Sequence, residues 1–118
     1  MTTKKNILEV LPMKGLKVSN KLELIVTKEF VLDRHCREWF LDEIPFSVPK
    51  GIRAVLQTDP FMSHAGIITT SYPMDSNHKY PCITVLNMSD RTVRFFEGDV
   101  LGCFIVSREL PLEIKGGD

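Results

Sequence analysis

The stretch from residue 66 to residue 106 constrains the fold more than any other part of this 118-residue chain. It contains three short runs of apolar, mostly β-branched or aromatic residues, at 67–70, 82–86 and 100–106. Each run is bounded by Gly, Pro, Asn, Asp or Ser, and this pattern is typical of β-strands joined by turns. The stretch therefore predicts three strands of one β-sheet protein.

The carboxyl-terminal third supplies two further strand predictions and a turn. Residues 93–96 form a short apolar run, and the Gly98 that follows can take positive φ without steric cost, which predicts a tight turn at 97–99. Gly102 lies inside the next strand and predicts a bulge or a close approach of another backbone. Residues 110–114 are consistent with an edge strand, where a proline is tolerated.

The amino-terminal half gives three more strands and one ambiguous segment. Alternating apolar residues predict strands at 7–11, 22–26 and 52–57, the last with Ile52, Ala54 and Leu56 on one face. Residues 28–44 favour a strand at 30–32, followed by a single helical turn within 34–40 that Asp33 would cap. Residues 59–66 are predicted to be a loop.

About eight short strands at regular spacing, separated by Pro and Gly turns, predict an all-β fold. We expect one domain over residues 1–118, a β-sandwich or barrel of the jelly-roll kind, with at most one helical turn near 34–40. The length allows one hydrophobic core. Residues 1–6 are expected to be mobile, and residues 115–118 form a polar tail.

Charge and hydropathy narrow the setting. Fifteen basic residues balance fifteen acidic ones, although residues 1–28 carry a net charge of +4. That excess fits either a basic arm for nucleic acid or an acidic partner, or a solvated amino-terminal strand, which we favour. We therefore do not expect nucleic acid as a partner. With neither a signal-peptide pattern nor a membrane span, the sequence predicts a soluble cytoplasmic protein.

The reactive residue types give weak signals. Cys36, Cys82 and Cys103 are odd in number and widely spaced, which argues against disulfides and structural zinc. His35 precedes Cys36, but one neighbouring pair is little evidence for a catalytic thiolate. The three histidines lack metal-ligand spacing, so we expect no metal site, no cofactor and no cupin-like metal centre.

The longest polar connection, residues 71–81, is the best place for a binding site, because binding residues are often carried on loops of a rigid scaffold. Asp75 and His78 are an acid and an imidazole close together in it. They allow two interpretations: an acid–base or metal pair, or an Asp that closes its own turn beside a solvent-facing His. We favour the second.

The sequence resembles a known family in several motifs. Residues 66–72 read GIITTSY, a strand ending at Asn87 follows, and residues 93–106 read VRFFEGDVLGCFIV. Together with the VPKG at 48–51, these segments resemble the core of the trimeric dUTPases and the related dCTP deaminases over residues 45–106. That family has a G-(V/I)-I-D-x-D-Y segment before such a strand and a G-(D/E)-R-I-A-Q-(L/M)-I strand after it. The resemblance implies the dUTPase-like β-fold and a homotrimer.

The departures from the family motifs concern its functional residues. Thr69 stands where the family has the aspartate that supports hydrolysis, and a hydroxyl of very high pKa cannot take a proton from water as a carboxylate does. Ser71 replaces the second aspartate, whereas Tyr72 is retained and can stack on a sugar or base. Val100 and Cys103 replace the arginine and glutamine of the later motif. The phosphate-binding P-R-S-G reads PFMS and ends at Ser63, without its arginine, and the family's terminal motifs are absent.

We therefore expect no catalytic residues and no dUTPase activity. The favoured function is a non-catalytic dUTPase-like domain that serves as a binding or assembly module, encoded by a phage or virus. It would be a homotrimer with strand 100–106 covered by a neighbour. The alternative is a divergent nucleotide-binding protein or nucleotide hydrolase, with candidate ligand-binding residues that lie mainly in the polar loop: Tyr72, Asp75, His78, Tyr80, Thr69 and Ser63.

Overall fold

A computed structural model describes residues 15–40, 47–77, 82–110, 113, 115 and 116. The elements in these residues are, in chain order, β1 (Leu16–Val18), β2 (Glu23–Val26), β3 (Phe30–Leu32), β4 (Arg37–Phe40), β5 (Ile52–Thr58), α1 (Pro60–His64), β6 (Ile67–Thr70), β7 (Ile83–Asn87), β8 (Val93–Phe95) and β9 (Val100–Arg108). The predicted all-β fold is confirmed, and the strands expected at 22–26, 30–32, 52–57, 67–70, 82–86, 93–96 and 100–106 all form within a residue or two of those limits.

The strands form three antiparallel sheets. A four-stranded sheet has the order β1-β2-β9-β5, a three-stranded sheet the order β4-β7-β6, and β3 pairs with β8. The longest ladder joins β5 to β9 through seven residue pairs, from Ile52↔Arg108 to Thr58↔Gly102. The candidate site lies at the Ile52 end of this ladder.

The core is built from alternate side chains of the strands, as one-sided antiparallel sheets require. Phe95 and Phe104 are its largest fully buried side chains, and the ring of Phe95 stacks on that of Phe30 with centroids 4.5 Å apart. Burial of each such side chain contributes roughly 1.5–3 kcal/mol. The alternation predicted for β5 is confirmed, because Ala54 is fully buried and Ile52 and Leu56 pack against the same core.

Gly102 allows β9 to approach its neighbour closely. A Cβ atom at this position would lie 2.5 Å from the carbonyl oxygen of Gln57, which no real side chain tolerates. On the other edge of β9 the pairing with β2 shifts register between Leu24 and Ile25, as at a β-bulge. Both features predicted for Gly102, a bulge and a close backbone approach, are present.

The helical turn predicted within 34–40 is wrong. A hydrogen bond from the amide of Cys36 to the carbonyl of Asp33 (3.1 Å) closes a turn in which His35 has φ +61°. The following residues form β4, which pairs with β7 from Arg37↔Leu86 to Phe40↔Ile83. A cross-strand partner more than 40 residues away decides the conformation here, and local propensity does not contain that information.

The loop predicted at 59–66 is also wrong, since it contains the short helix α1. Asp59 caps this helix: its Oδ2 accepts hydrogen bonds from the amides of Phe61 (3.0 Å) and Met62 (3.4 Å). Pro60 occupies the first turn, where its missing N–H costs nothing. Both capping signals are present in the sequence.

Three sequence predictions concern residues outside the described ranges: the strand at 7–11, the mobile segment 1–6 and most of the edge strand at 110–114. Strand β1, in turn, was not predicted, because three residues interrupted by Lys17 give little periodicity. The extent of one domain over 1–118 stays a prediction. Within the described ranges, no helix is long and apolar enough to cross a membrane.

Asn87 joins two of the sheets at a buried corner. Its Nδ2 donates to the carbonyl oxygens of Leu32 (3.1 Å), Asp33 (3.2 Å) and Arg91 (2.8 Å). Its Oδ1 accepts from the amide of Ser89 (3.0 Å) and from the Ser89 hydroxyl (2.6 Å). Asn87 ends β7, whereas Leu32 ends β3, so this side chain ties the three-stranded sheet to the β3–β8 pair.

Candidate ligand-binding site

The segment after β6 is fixed to the edge of β5 by one buried residue. Met74 is fully buried, and its amide and carbonyl exchange hydrogen bonds of 2.8 Å with the carbonyl and amide of Ala54. This antiparallel bridge holds the neighbouring residues at the sheet edge while leaving the Tyr72 side chain outside the core. Tyr72 is 64% exposed, a high value for an aromatic residue beside so rigid an anchor.

A cleft of about 810 Å³ opens beside Tyr72. It is lined by residues of the 72–75 segment, of β5 and of the end of β9, namely Tyr72, Pro73, Asp75, Arg53, Ser107, Arg108, Glu109 and Leu110. We call this cavity, with its lining residues, the Tyr72 cleft. Its polar groups are two guanidinium groups, two carboxylates, one hydroxyl and one phenol.

The register of the β5–β9 ladder explains why both arginines reach this cleft. Arg53 pairs with Ser107, so these two side chains share the outer face of the sheet. Arg108 pairs with Ile52 and starts from the opposite face. The cleft therefore lies at the end of the ladder, where residues from both faces of the sheet line it.

Asp75 takes part in its own turn. Its Oδ1 accepts a hydrogen bond of 2.8 Å from the amide of Asn77, the geometry of an Asx turn. This is the arrangement expected of an aspartate that closes its turn. His78 and Tyr80 lie outside the described residues, so the Asp75–His78 pairing stays a prediction.

A second, smaller cavity of about 290 Å³ is also lined by Tyr72. Its lining comes mainly from the outer face of the β4-β7-β6 sheet: Arg37, Thr70, Ser71, Tyr72, Cys82, Thr84 and Leu86. Thr70 and Thr84 are paired across β6 and β7, which brings two hydroxyl groups together. Tyr72 lines both cavities.

Thr69 points away from these cavities into the protein interior. It is 2% exposed, and its Oγ1 is buried without a hydrogen-bond partner among the residues that the structure describes. The hydroxyl of Thr58 holds the Thr69 backbone instead, accepting from its amide and donating to its carbonyl at 3.0 Å each. The Thr69 side chain therefore lies on the core face of β6, the strand that leads to Tyr72.

Ser63 lies apart as well, because it is an exposed residue of α1 and lines neither cavity. The structure thus brings together two of the predicted site residues, Tyr72 and Asp75. It adds three arginines that the sequence analysis did not single out: Arg37, Arg53 and Arg108. Their positions on alternating strands mark them as surface residues, but no sequence signal places them beside Tyr72.

Two further observations bear on the chemistry of the site. In the described part of the chain, no three His, Cys, Asp or Glu side chains come together as a metal ion would require. The ion pairs described there are Arg94–Glu29 (2.9 Å) and His35–Asp90 (3.4 Å), both remote from the Tyr72 cleft in sequence.

Known structures of similar shape identify the class of fold. A variant of the Staphylococcus bacteriophage 80alpha dUTPase with dUpNHpp superposes with a TM-score of 0.69, 12% identity and coverage of 98% of each chain. The dUTPase from phage phi11 of S. aureus gives a TM-score of 0.67 and 13% identity, covering 98% of this chain and 97% of its own. The EIAV dUTPase gives 0.66 and 10%, covering 91% and 93%.

The protein therefore has a dUTPase-like fold, as the sequence resemblance implied. No protein-family model matches the sequence. A search of curated proteins gives no match either.

Proposed function

We propose that this protein is a non-catalytic domain of dUTPase-like fold that acts by binding or assembly. The observation that carries the proposal is the environment of Thr69. This residue occupies the position at which the resemblance to dUTPases predicts the hydrolytic aspartate, and its hydroxyl is buried with no hydrogen-bond partner in the described part of the chain.

The chemistry of that position opposes catalysis by two routes. A threonine hydroxyl stays protonated at neutral pH and cannot act as a general base towards water. Its burial in the core also keeps it from any ligand in the two cavities beside Tyr72. A general base must lie within hydrogen-bond reach of the proton it removes.

The test is a pyrophosphate-release assay with dUTP and Mg²⁺. We expect no release above the uncatalysed rate at a protein concentration that would reveal a very slow enzyme. A phage dUTPase assayed in parallel supplies the positive control. Enzymatic turnover by the wild-type chain, lost in a preparation denatured by heat, would contradict the proposal.

A binding role fits what is known of proteins with this fold. Phage dUTPases, including that of 80alpha, control transfer of virulence genes by a proto-oncogenic G protein-like mechanism. A phage or viral origin, with action in the host cytoplasm or the virion, is part of this proposal. The similarity to phage dUTPases supports it.

Self-assembly as a homotrimer is the structural part of the proposal. Val55 and Ile105 are directly paired on the outer face of the β5–β9 ladder and are 39% and 49% exposed. Adjacent exposed apolar side chains on a sheet face favour burial against another copy.

Light scattering tests the trimer. The wild-type protein should have three times the mass of one chain, and Ile105→Lys should reduce the mass to that of one chain. A monomeric wild-type protein would exclude the trimer.

Nucleotide binding through the 72–80 loop is the second candidate function. The exposed Tyr72 side chain, which lines two cavities, favours this function because aromatic rings stack on bases and sugars. A ligand present at 100 times its dissociation constant stabilises a protein by about 2.7 kcal/mol. Thermal melting with a panel of nucleotides should show that stabilisation for at least one of them, and identical melting curves throughout would rule the candidate out.

A further inference from the structure

We propose that Arg53 and Arg108 of the Tyr72 cleft bind the diphosphate group of a nucleotide whose ring system contacts Tyr72. The inference rests on the second candidate function and assigns the anion-binding residues of that site. It places them at the end of the β5–β9 ladder, on elements distinct from the segment at 60–63 where the sequence resemblance locates phosphate binding.

The first argument is position. Arg53 and Arg108 start from opposite faces of the same ladder and line one cleft, so a ligand at the ladder end can meet a guanidinium group on two sides. Ser107, paired with Arg53, adds a hydroxyl donor. Planar guanidinium groups bind phosphate oxygens with two parallel hydrogen bonds, which makes such a pair suited to a diphosphate.

The second argument is rigidity. The Met74–Ala54 bridge attaches the 72–75 segment to β5 one residue away from Arg53. The backbones of the 72–75 segment and of Arg53 are therefore held beside each other by the sheet. A ligand that joins a flat ring to an anionic group then loses little free energy in ordering the protein.

The third argument is charge. Neither Arg53 nor Arg108 forms an ion pair with an acidic residue of the described ranges. Both belong to exposed positions, so their guanidinium groups are accessible to a ligand. At segment 60–63 the exposed Phe61 (87%) offers no charge to a phosphate.

The carboxylates of the cleft make the proposal sharper. Asp75 and Glu109 also line the cleft, so two carboxylates balance the charge of the two guanidinium groups. An anion must therefore bind against the repulsion of two acidic side chains. Asp75 Oδ1 is engaged by the amide of Asn77, whereas the described bond of Glu109 is made by its backbone amide to the carbonyl of Gly51 (2.8 Å). Neutralising Glu109 should therefore strengthen binding of an anion and leave the backbone in place.

The experiment measures the dissociation constants of dUDP, dUMP and inorganic pyrophosphate by titration calorimetry at low salt. The variants are Arg53→Gln, Arg108→Gln and Glu109→Gln, with Arg34→Gln as a control for loss of one exposed positive charge away from both cavities. Melting temperatures of all variants verify folding. Tyr72→Ala distinguishes the contribution of the aromatic ring from that of the anion site. It should weaken the binding of dUDP and leave the binding of pyrophosphate unchanged.

We expect dUDP to bind at least about tenfold tighter than dUMP, and each cleft arginine variant to lose about tenfold for dUDP, as for a charge-assisted contact. Glu109→Gln should bind dUDP more tightly than wild type, and Arg34→Gln equally. The inference is overturned if both cleft arginine variants bind dUDP and pyrophosphate as wild type does, or if none of the three compounds binds.

These results separate this inference from the proposed function. Hydrolysis of dUTP would remove the non-catalytic proposal without affecting the arginine variants. Binding of pyrophosphate that is lost in both variants, with no preference for nucleotides over pyrophosphate, would retain the anion site and remove the nucleotide.

Discussion

Asn87 and Thr69 are two buried polar residues on neighbouring strands of one sheet, yet their surroundings are opposite. Asn87 is fully buried and takes part in five hydrogen bonds through its side chain. Thr69 is paired with Val85 two residues along the same ladder, and its hydroxyl makes no hydrogen bond to any described residue. A satisfied buried amide holds the sheets together, whereas an unsatisfied hydroxyl costs free energy and holds nothing.

The comparison teaches where the fold depends on polar chemistry and where it only tolerates it. At the Asn87 corner, the side-chain amide donates to carbonyl groups of two other segments. At Thr69 the backbone amide and carbonyl are paired with the Thr58 hydroxyl, and the side chain contributes to the core only by its shape. Removing the polar group at the two positions should therefore change the free energy of unfolding in opposite directions.

The largest effect is expected for Asn87→Ala. It removes the donor for three carbonyl groups and the acceptor for Ser89, so unfolding should need about 3–5 kcal/mol less free energy, a large part of a typical domain stability. Urea unfolding followed by fluorescence measures it. Met88→Ala, at the exposed neighbouring position, is the matched control and should change little. A loss below 1 kcal/mol for Asn87→Ala, by the scale of about 1 kcal/mol for one net hydrogen bond, would mean that the corner is not a structural clamp.

Thr69→Asp is expected to have the next largest effect. It restores the carboxylate type found in the dUTPase motif, but at a position 2% exposed with no donor facing the side chain among the described residues. An uncompensated buried charge should cost about 3 kcal/mol or more at neutral pH. Thr70→Asp, on the exposed face of the same strand, is the control in the same urea titration. Equal stability of the two variants would show that Thr69 reaches solvent.

Ser89→Ala tests how far the Asn87 network is cooperative. The variant loses the hydroxyl that donates to Asn87 Oδ1 at 2.6 Å, while the Ser89 amide still donates to the same oxygen. The expected loss is about 1 kcal/mol, one net hydrogen bond. A double variant with Asn87→Ala should then lose less than the sum of the two single losses, and full additivity would indicate that the two side chains act independently.

The smallest effect, and the opposite sign, is expected for Thr69→Val. The two side chains have nearly the same shape, and the variant removes a buried hydroxyl that lacks a partner, so stability should rise by about 1 kcal/mol. Thr70→Val, with its exposed hydroxyl, should be close to neutral. A clear loss of stability for Thr69→Val alone would reveal a hydrogen bond to that hydroxyl.

Most of the fold could be predicted from the sequence, because alternating apolar residues report a half-buried strand directly. Strands β2, β5, β6 and β7 follow that alternation closely. The failures have physical causes. Residues 37–40 became a strand through pairing with β7, which local sequence cannot express, and the cap of α1 was missed because Asp59 and Pro60 also fit a turn.

The candidate site was predictable only in part. Tyr72 and Asp75 could be named from their loop and from the family resemblance, since they lie close together along the chain. Arg53 and Arg108 are 55 residues apart and meet the loop only through the β5–β9 register and the Met74 bridge. Thr69 shows the reverse, a motif position that the strand turns inward.

The place of β9 in its sheet affects the order in which the chain can acquire structure during synthesis. Gly102 pairs with Leu24 on one edge of β9 and with Thr58 on the other, so the last strand of the described ranges lies between β2 and β5. Until it arrives, β1 and β2 are an isolated hairpin, and such hairpins are at best marginally stable in water. A ribosome must therefore translate as far as β9 before the hairpin of β1 and β2 gains its third strand.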